Sequence, residues 1–481
     1  MTVPSRLPCS AFIALLGLWI GVAGPLDTRA QSGVRSVGGV GTGGGTSALE
    51  NGPSTMYSNP ADLTVGTVDR NLEIQLFRVA GYVGGNLVQF NHYETLFLNE
   101  GAPLTNDQAE SSVNDWFGSS KRRISTYVSV TPLAITYRPD DGKWGAGLGI
   151  RSRTIQTGGV DKGLLDLALR GTALNNQGEE RVIPINGDSR VYSTVDVKGT
   201  FSYRLSSLPL SVGASPSLIF GLGYAGGDFS STASVSENAL VHNFDFTARA
   251  AGALSTGLLD EFSAFNDDFV DRDEVLGEDG GLSGIGGGLD FGATYEVRPG
   301  LHASLSVTDL GLIKWTGEAQ TVTPENNEFR FDGVDANALN GNLGDEVEAE
   351  VDSLLEKAYE DVNRDRSSFT TGLPTTLHLS STWDQGIVIV NGGVSVGLNQ
   401  DAGATPDPVA VHVGSKLDAG PIPLRAGVRL FGSQAMTFTG GFGFDLGVYQ
   451  LELGGSVTPS TSTLGSGARY AVSLSLGTIR I

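Results

Sequence analysis

The 481-residue chain combines 68 glycines with only 17% charged residues, and its 53 acidic against 31 basic side chains leave a net charge of −22. That charge, with no basic patch interleaved with aromatics, excludes a nucleic-acid partner. The only cysteine, Cys9, precedes the first apolar run, so disulfides, thiolate metal sites and cysteine nucleophiles are excluded once a leader is removed.

The first thirty residues read as that leader. Arg6 supplies a positive start, Ala11–Ala23 is an apolar core shorter than a membrane span, and Thr28-Arg29-Ala30 offers a small-residue cleavage site. Residues 31–70 form a glycine-rich segment, SVGGVGTGGGTSALENGP, followed by STMYSNPADLTV. Pro60 disfavours helix at Asn59 and fixes a turn, while the glycines of 38–45 permit close packing. These features fit close packing of 31–70 against the chain that follows, or a disordered leader.

From Asn71 onward the apolar period is two. In LDFGATY, Leu289, Phe291, Ala293 and Tyr295 alternate with polar or glycine positions, and LRAGVRL and YQLEL repeat the pattern. No later apolar run is long enough for a spanning helix, so a membrane passage requires a closed barrel. Tight turns such as RPDDGK, VRPG, WDQG and DAGPIP alternate with longer links, the largest near 158–189, 225–283 and 316–373. Their alternation predicts about fourteen strands in 71–481. The expected fold class is all-β: a transmembrane antiparallel β-barrel with long external loops.

Particular positions refine that expectation. Tyr137, Tyr203, Tyr295, Trp383, Phe444 and Trp144 lie beside short turns, with Tyr224 and Trp315 at the opposite ends of strands, a pattern of interfacial girdles. Pro132 and Pro216 interrupt strands and mark bulges or ladder gaps, and the last strand changes phase at Gly477. On the polar face, Arg151, Arg153, Asp196, Lys198, Asp290, His302, His378, His412, Lys416, Arg425, Arg429 and Glu452 are expected to face the lumen, cross-linking and hydrating it.

The leader, the glycine-rich stretch containing Gly43 to Ala48 and the motif Asn59-Pro60-Ala61 with Leu63, immediately ahead of a barrel, resemble the FadL-type superfamily of outer-membrane barrels. That superfamily includes the PorV-type shuttle barrels of type IX secretion and uncharacterised Bacteroidetes-like families. The resemblance implies an outer-membrane location in a Gram-negative-type envelope, a lumenal plug, and passive transport of hydrophobic small molecules through a lateral opening at a strand kink. Pro132 and Pro216 are the kink candidates. Asn59, Pro60, Ala61, Leu63, Met56 and Tyr57 are the plug or gate candidates, and with Leu49 they would have to supply the apolar lining that a polar wall lacks.

Other classes stay open. A scaffold or shuttle holding a secreted or surface protein is supported by the large external links, of which 344–361 has helical spacing. A nutrient channel or a purely structural barrel would show the same alternation. Catalysis is not expected: His92, His242, His302, His378 and His412 have no metal-pair spacing and no GxSxG elbow occurs. Asp361, Asn363 and Asp365 begin like a calcium loop, but Arg366 and Gly372 stand where glycine and glutamate are needed. No cofactor or metal is expected, and the partners are outer-membrane lipid with a hydrophobic ligand or a surface protein.

Overall fold

The computed structural model describes residues 37–43, 52–65, 70–87, 106–118, 121–170, 180–236, 240–252, 282–331, 362–399, 409–431, 436–458 and 469–481. The expected leader, Leu49, the 344–361 stretch and all of 253–281 lie outside these residues.

Alternation closes into a barrel. The wall strands are β1 (Leu72–Gly85), β2 (Arg122–Tyr137), β3 (Trp144–Val160), β4 (Arg181–Arg204) and β5 (Leu210–Val235), then β7 (Gly284–Arg298) and β8 (Leu301–Trp315). They continue with β13 (Thr376–Asp384), β14 (Val388–Gly397), β15 (Val409–Ala419), β16 (Ile422–Phe431), β17 (Met436–Asp445), β18 (Tyr449–Thr458) and β19 (Arg469–Arg480). Each pairs antiparallel with the next, and β19 returns to β1 through Glu73↔Arg480 to Gly84↔Arg469, giving a closed wall of fourteen strands. Closure leaves no unpaired edge inside the wall, the condition for a sheet in lipid.

The outward face is apolar in a band. On β3, Trp144, Leu148 and Ile150 are exposed, after which the outward positions become Ser152, Thr154 and Gln156. At the short-turn end Tyr137, Trp144, Tyr203, Tyr295, Trp383 and Phe444 all point outward, forming the expected girdle. Tyr224 and Trp315 do not join one at the other end. They are 5% and 0% exposed and lie inside, where Gly221 and Gly284 make room for the Trp315 ring.

All three of the large links contain more strand than expected. β4 and β5 stay paired from Arg204↔Ser211 out to Arg181↔Val235, and β5 also pairs with β6 (Leu240–Gly252). β9 (Gln320–Pro324), β10 (Glu328–Phe331) and β11 (Val362–Asp365) extend this sheet, while β12 (Phe369–Gly372) pairs with β8. Asn363 and Asp365, the calcium-loop candidates, are therefore strand residues. Two helices pack together beside the extension, α2 (Asn106–Phe117) and α3 (Lys162–Arg170); α1 (Val37–Gly41) lies elsewhere, against β16–β19.

Both proline positions disturb the ladder, in different ways. At Thr131–Pro132 two residues of β2 oppose one of β3, so Pro132 and Leu133 both face outward. Phe77 lies between the flanking pairs in β1 with φ 49°, and Leu476–Gly477 bulge in β19. A line of broken pairing thus crosses β2, β1 and β19. Pro216 leaves register with β4 intact on both sides, between Lys198↔Ser217 and Phe201↔Ala214, and produces only a gap.

Candidate functional site: the barrel interior and the segment packed in it

Two stretches ahead of the wall pack against its inward face. A 3-10 turn over Gly52–Tyr57 lies against β1–β4, and a second over Pro60–Thr64 lies against β3, β4, β5 and β7. Asn59 caps the second turn: its Oδ1 accepts from the Ala61 N–H at 3.2 Å, and Pro60, lacking an N–H, starts the turn without loss. The same Asn59 donates through Nδ2 to Thr294 Oγ1 on β7 at 2.9 Å. Ser202 on β4 donates to the Ala61 carbonyl at 3.2 Å, and its hydroxyl lies 2.9 Å from that of Thr64.

Glycines in the wall receive this segment. A Cβ at Gly213 would lie 2.5 Å from the Pro60 carbonyl carbon, and one at Gly292 1.9 Å from Asn59 Oδ1. Gly145 abuts Leu63, Gly147 abuts Met56, and Gly149 abuts the Tyr57 hydroxyl. On the far side of the barrel the backbone at Thr42 lies against Gly414 and Gly427, while Gly43 (φ 89°) takes a conformation other residues avoid. Arg429 donates to the Gly43 carbonyl at 3.4 Å and Thr439 to that of Gly41 at 3.1 Å. Met56, Tyr57, Asn59, Pro60, Ala61 and Leu63 are all buried.

Beside the first turn lies a charged tier. Arg151 Nη2 reaches Asp196 Oδ2 at 2.6 Å, and Arg153 reaches Asp196 at 3.2 Å and Asp309 at 3.1 Å. Lys198 pairs with Asp290, which also accepts from the Asp309 N–H at 2.6 Å. The Tyr57 ring sits among three of these cations, with its centroid 5.2 Å from Arg78 Cζ, 4.9 Å from Arg151 Cζ and 5.5 Å from Lys198 Nζ. Arg425 pairs with Glu452 on the opposite wall, and His412, 3% exposed, faces the same part of the lumen. Of the charged and histidine positions expected on the polar face, Arg151, Arg153, Asp196, Lys198, Asp290, His378, His412, Arg425 and Arg429 are buried, while His302, Lys416 and Glu452 are half-buried.

A third tier was not foreseen. In one cross-strand row Tyr82, Tyr127, Ile155, Tyr192 and Tyr224 follow each other over β1 to β5, all buried and inward. Trp315 and Phe369 complete it, with ring centroids 5.4 and 5.2 Å from Tyr224. A signal existed: Tyr127 shares its phase with Ser129 and Thr131, the polar face of β2, so alternation alone places this ring inside.

Wall, girdle and interior define a membrane-spanning β-barrel with part of its own N-terminal chain packed against the inner wall. The chain belongs to a family of unknown function, DUF5723, whose model matches residues 69–405. No curated protein matches it. Among solved structures, the deltaS2S3 mutant of the TodX monoaromatic hydrocarbon channel is 12% identical, with a TM-score of 0.46, over 95% of this chain and 100% of that one. A Pseudomonas aeruginosa FadL homologue is 11% identical (0.45; 95% and 100%), and the Ralstonia pickettii toluene transporter TbuX 12% (0.42; 95% and 99%). With scores below 0.5 these likenesses do not bear on function, and the barrel rests on its own strand pairing.

Proposed function

We propose that this barrel resides in an outer membrane and passes hydrophobic small molecules across it passively, with residues 31–70 acting as plug and gate. The observation that carries this reading is the inward aromatic tier of Tyr82, Tyr127, Tyr192, Tyr224 and Trp315. A water-filled pore for polar solutes has no use for such a lining, whereas an apolar solute loses little on leaving lipid for it. The tier replaces the Leu49–Leu63 segment as the expected source of apolar lining. The ladder is interrupted over three adjacent strands at Pro132, Phe77 and Leu476, and we assign the sideways exit to that line in preference to Pro216.

The test is uptake of a fluorescent fatty acid and of a neutral aromatic hydrocarbon into liposomes carrying the mature protein or a deletion of Gln31 to Pro60. Saturable uptake that the deletion alters supports the reading. Absence of binding and uptake in both forms refutes it and favours a shuttle or scaffold like the PorV-type barrels. The sheet extension of β4–β6 and β9–β11 is the observation on the side of that alternative, and pull-down of an outer-membrane or secreted protein is its assay.

A further inference from the structure

Asp62 stands at the middle of the Asn-Pro turn and is 2% exposed. Its Oδ1 accepts from the Thr294 hydroxyl, which in turn accepts from Asn59 Nδ2 and lies 3.0 Å from Ser304 Oγ. Its Oδ2 is buried without a hydrogen-bond partner among the described residues. The charged groups on the surrounding elements are committed elsewhere. Arg151 and Arg153 pair with Asp196 and Asp309, Lys198 with Asp290, and Arg204 with Glu296, while Arg138 donates to the Val65 carbonyl. Farther out on β4 and β5, Arg181 pairs with Asp166, Asp188 with Arg123 and Arg190 with Asp228. Arg298 of β7 is exposed, the first 3-10 turn carries no charge, and His302 on β8 makes no ion pair with Asp62.

A carboxylate buried without a cation is far costlier than the neutral acid. We propose that Asp62 is a protonation latch: the neutral acid seats the Asn-Pro turn against β4, β5 and β7, and the ionised form loosens it. Burial raises its pKa to about 7. The sign follows. Between the ordinary carboxylate range and neutrality the seated form holds a proton that the unseated form has lost, so seating weakens by about tenfold per pH unit over that interval and levels off above it.

This inference deepens the gate reading, and its test measures seating directly, so that it fails or stands apart from transport. Hydrogen exchange of the Asp62 and Val65 amides, bonded to the Asn59 and Asp62 carbonyls, is followed in the full mature protein from pH 4.5 to 8.5 and corrected for intrinsic rates. Wild type should lose protection about tenfold per unit up to about pH 7 and then stay level. Asp62→Asn should be flat, and Asp62→Glu should keep a pH dependence; heat-modifiable mobility confirms that each variant has closed its barrel. Flat wild-type protection, or an equal slope in Asp62→Asn, overturns the latch. If Asp62→Asn fails to close, the wild-type and Asp62→Glu profiles decide.

Discussion

Gly213→Ala isolates the seating of the N-terminal segment from the integrity of the wall. The new methyl group would face Pro60 C, Ala61 N and Pro60 O at 2.5, 2.6 and 2.7 Å, all backbone atoms that cannot rotate aside. Restoring the 3.4 Å of ordinary contact moves the turn by about 0.9 Å, the difference between 3.4 and 2.5 Å. A shift of that size takes Asn59 Nδ2 to Thr294, now 2.9 Å, beyond hydrogen-bond reach, and likewise Thr64 to Ser202, now 2.9 Å, and Ser202 to the Ala61 carbonyl, now 3.2 Å. At about 1 kcal/mol each, the three losses come to about 3 kcal/mol, or about two orders of magnitude in the seated population. The strand itself has no objection, since Gly213 is not in the left-handed region. Gly199→Ala on neighbouring β4 is the control, because a Cβ there meets nothing within 4 Å. Hydrogen exchange over 59–65, with heat-modifiable mobility for the wall, should show deprotection for Gly213→Ala alone. Equal protection in Gly213→Ala and wild type would refute the packing argument.

Asp196→Asn should lower the barrel's thermal stability by about 3–5 kcal/mol, because Arg151 and Arg153 would remain buried with Asp309 as their remaining carboxylate partner. The midpoint of heat-modified mobility measures it, and the Asp196→Asn, Arg151→Met double variant should recover part of the loss. Tyr57→Leu should cost about 2–4 kcal/mol in seating by withdrawing the ring from three cations, while Tyr57→Phe stays within about 1 kcal/mol, since the ring face is retained; proteolytic release of the segment compares them. Pro132→Val restores an N–H to the broken row beside Phe77, so uptake in liposomes should slow and the Leu133 amide should exchange more slowly. Unchanged uptake would remove this row as the exit.

The wall was legible because its physics is local. A two-residue period assigns Leu148 and Arg151 to opposite faces whatever their partners, and tight turns such as VRPG fix which strands are neighbours. The extension of β4 was not legible, because 158–189 reads as one of the long links; in the structure β4 already begins at Arg181, and Asp161 accepts from both the Asn186 N–H, at 2.8 Å, and its side chain, at 2.6 Å. Aromatics at strand ends were ambiguous. Position alone places Trp315 in a girdle, whereas its phase with buried Ile313 places it inside, and phase prevails because lipid and lumen lie on opposite faces.

The interior was harder because its partners are remote in sequence, as Asn59 and Thr294 are, and a glycine carries no mark of what it accommodates. Gly213 and Gly292 face the Asn-Pro turn; Gly414 and Gly427 face Thr42; Gly81, Gly440 and Gly455 are on outward rows where a Cβ would meet nothing closer than 3.8 Å. All seven look alike in the sequence. The first four allow chain against chain, at a separation no side chain permits, and they connect the glycine content of the wall to the segment that precedes it. An alanine at an outward glycine should therefore be silent, while one at Gly213 or Gly292 should be felt across the barrel at Asn59.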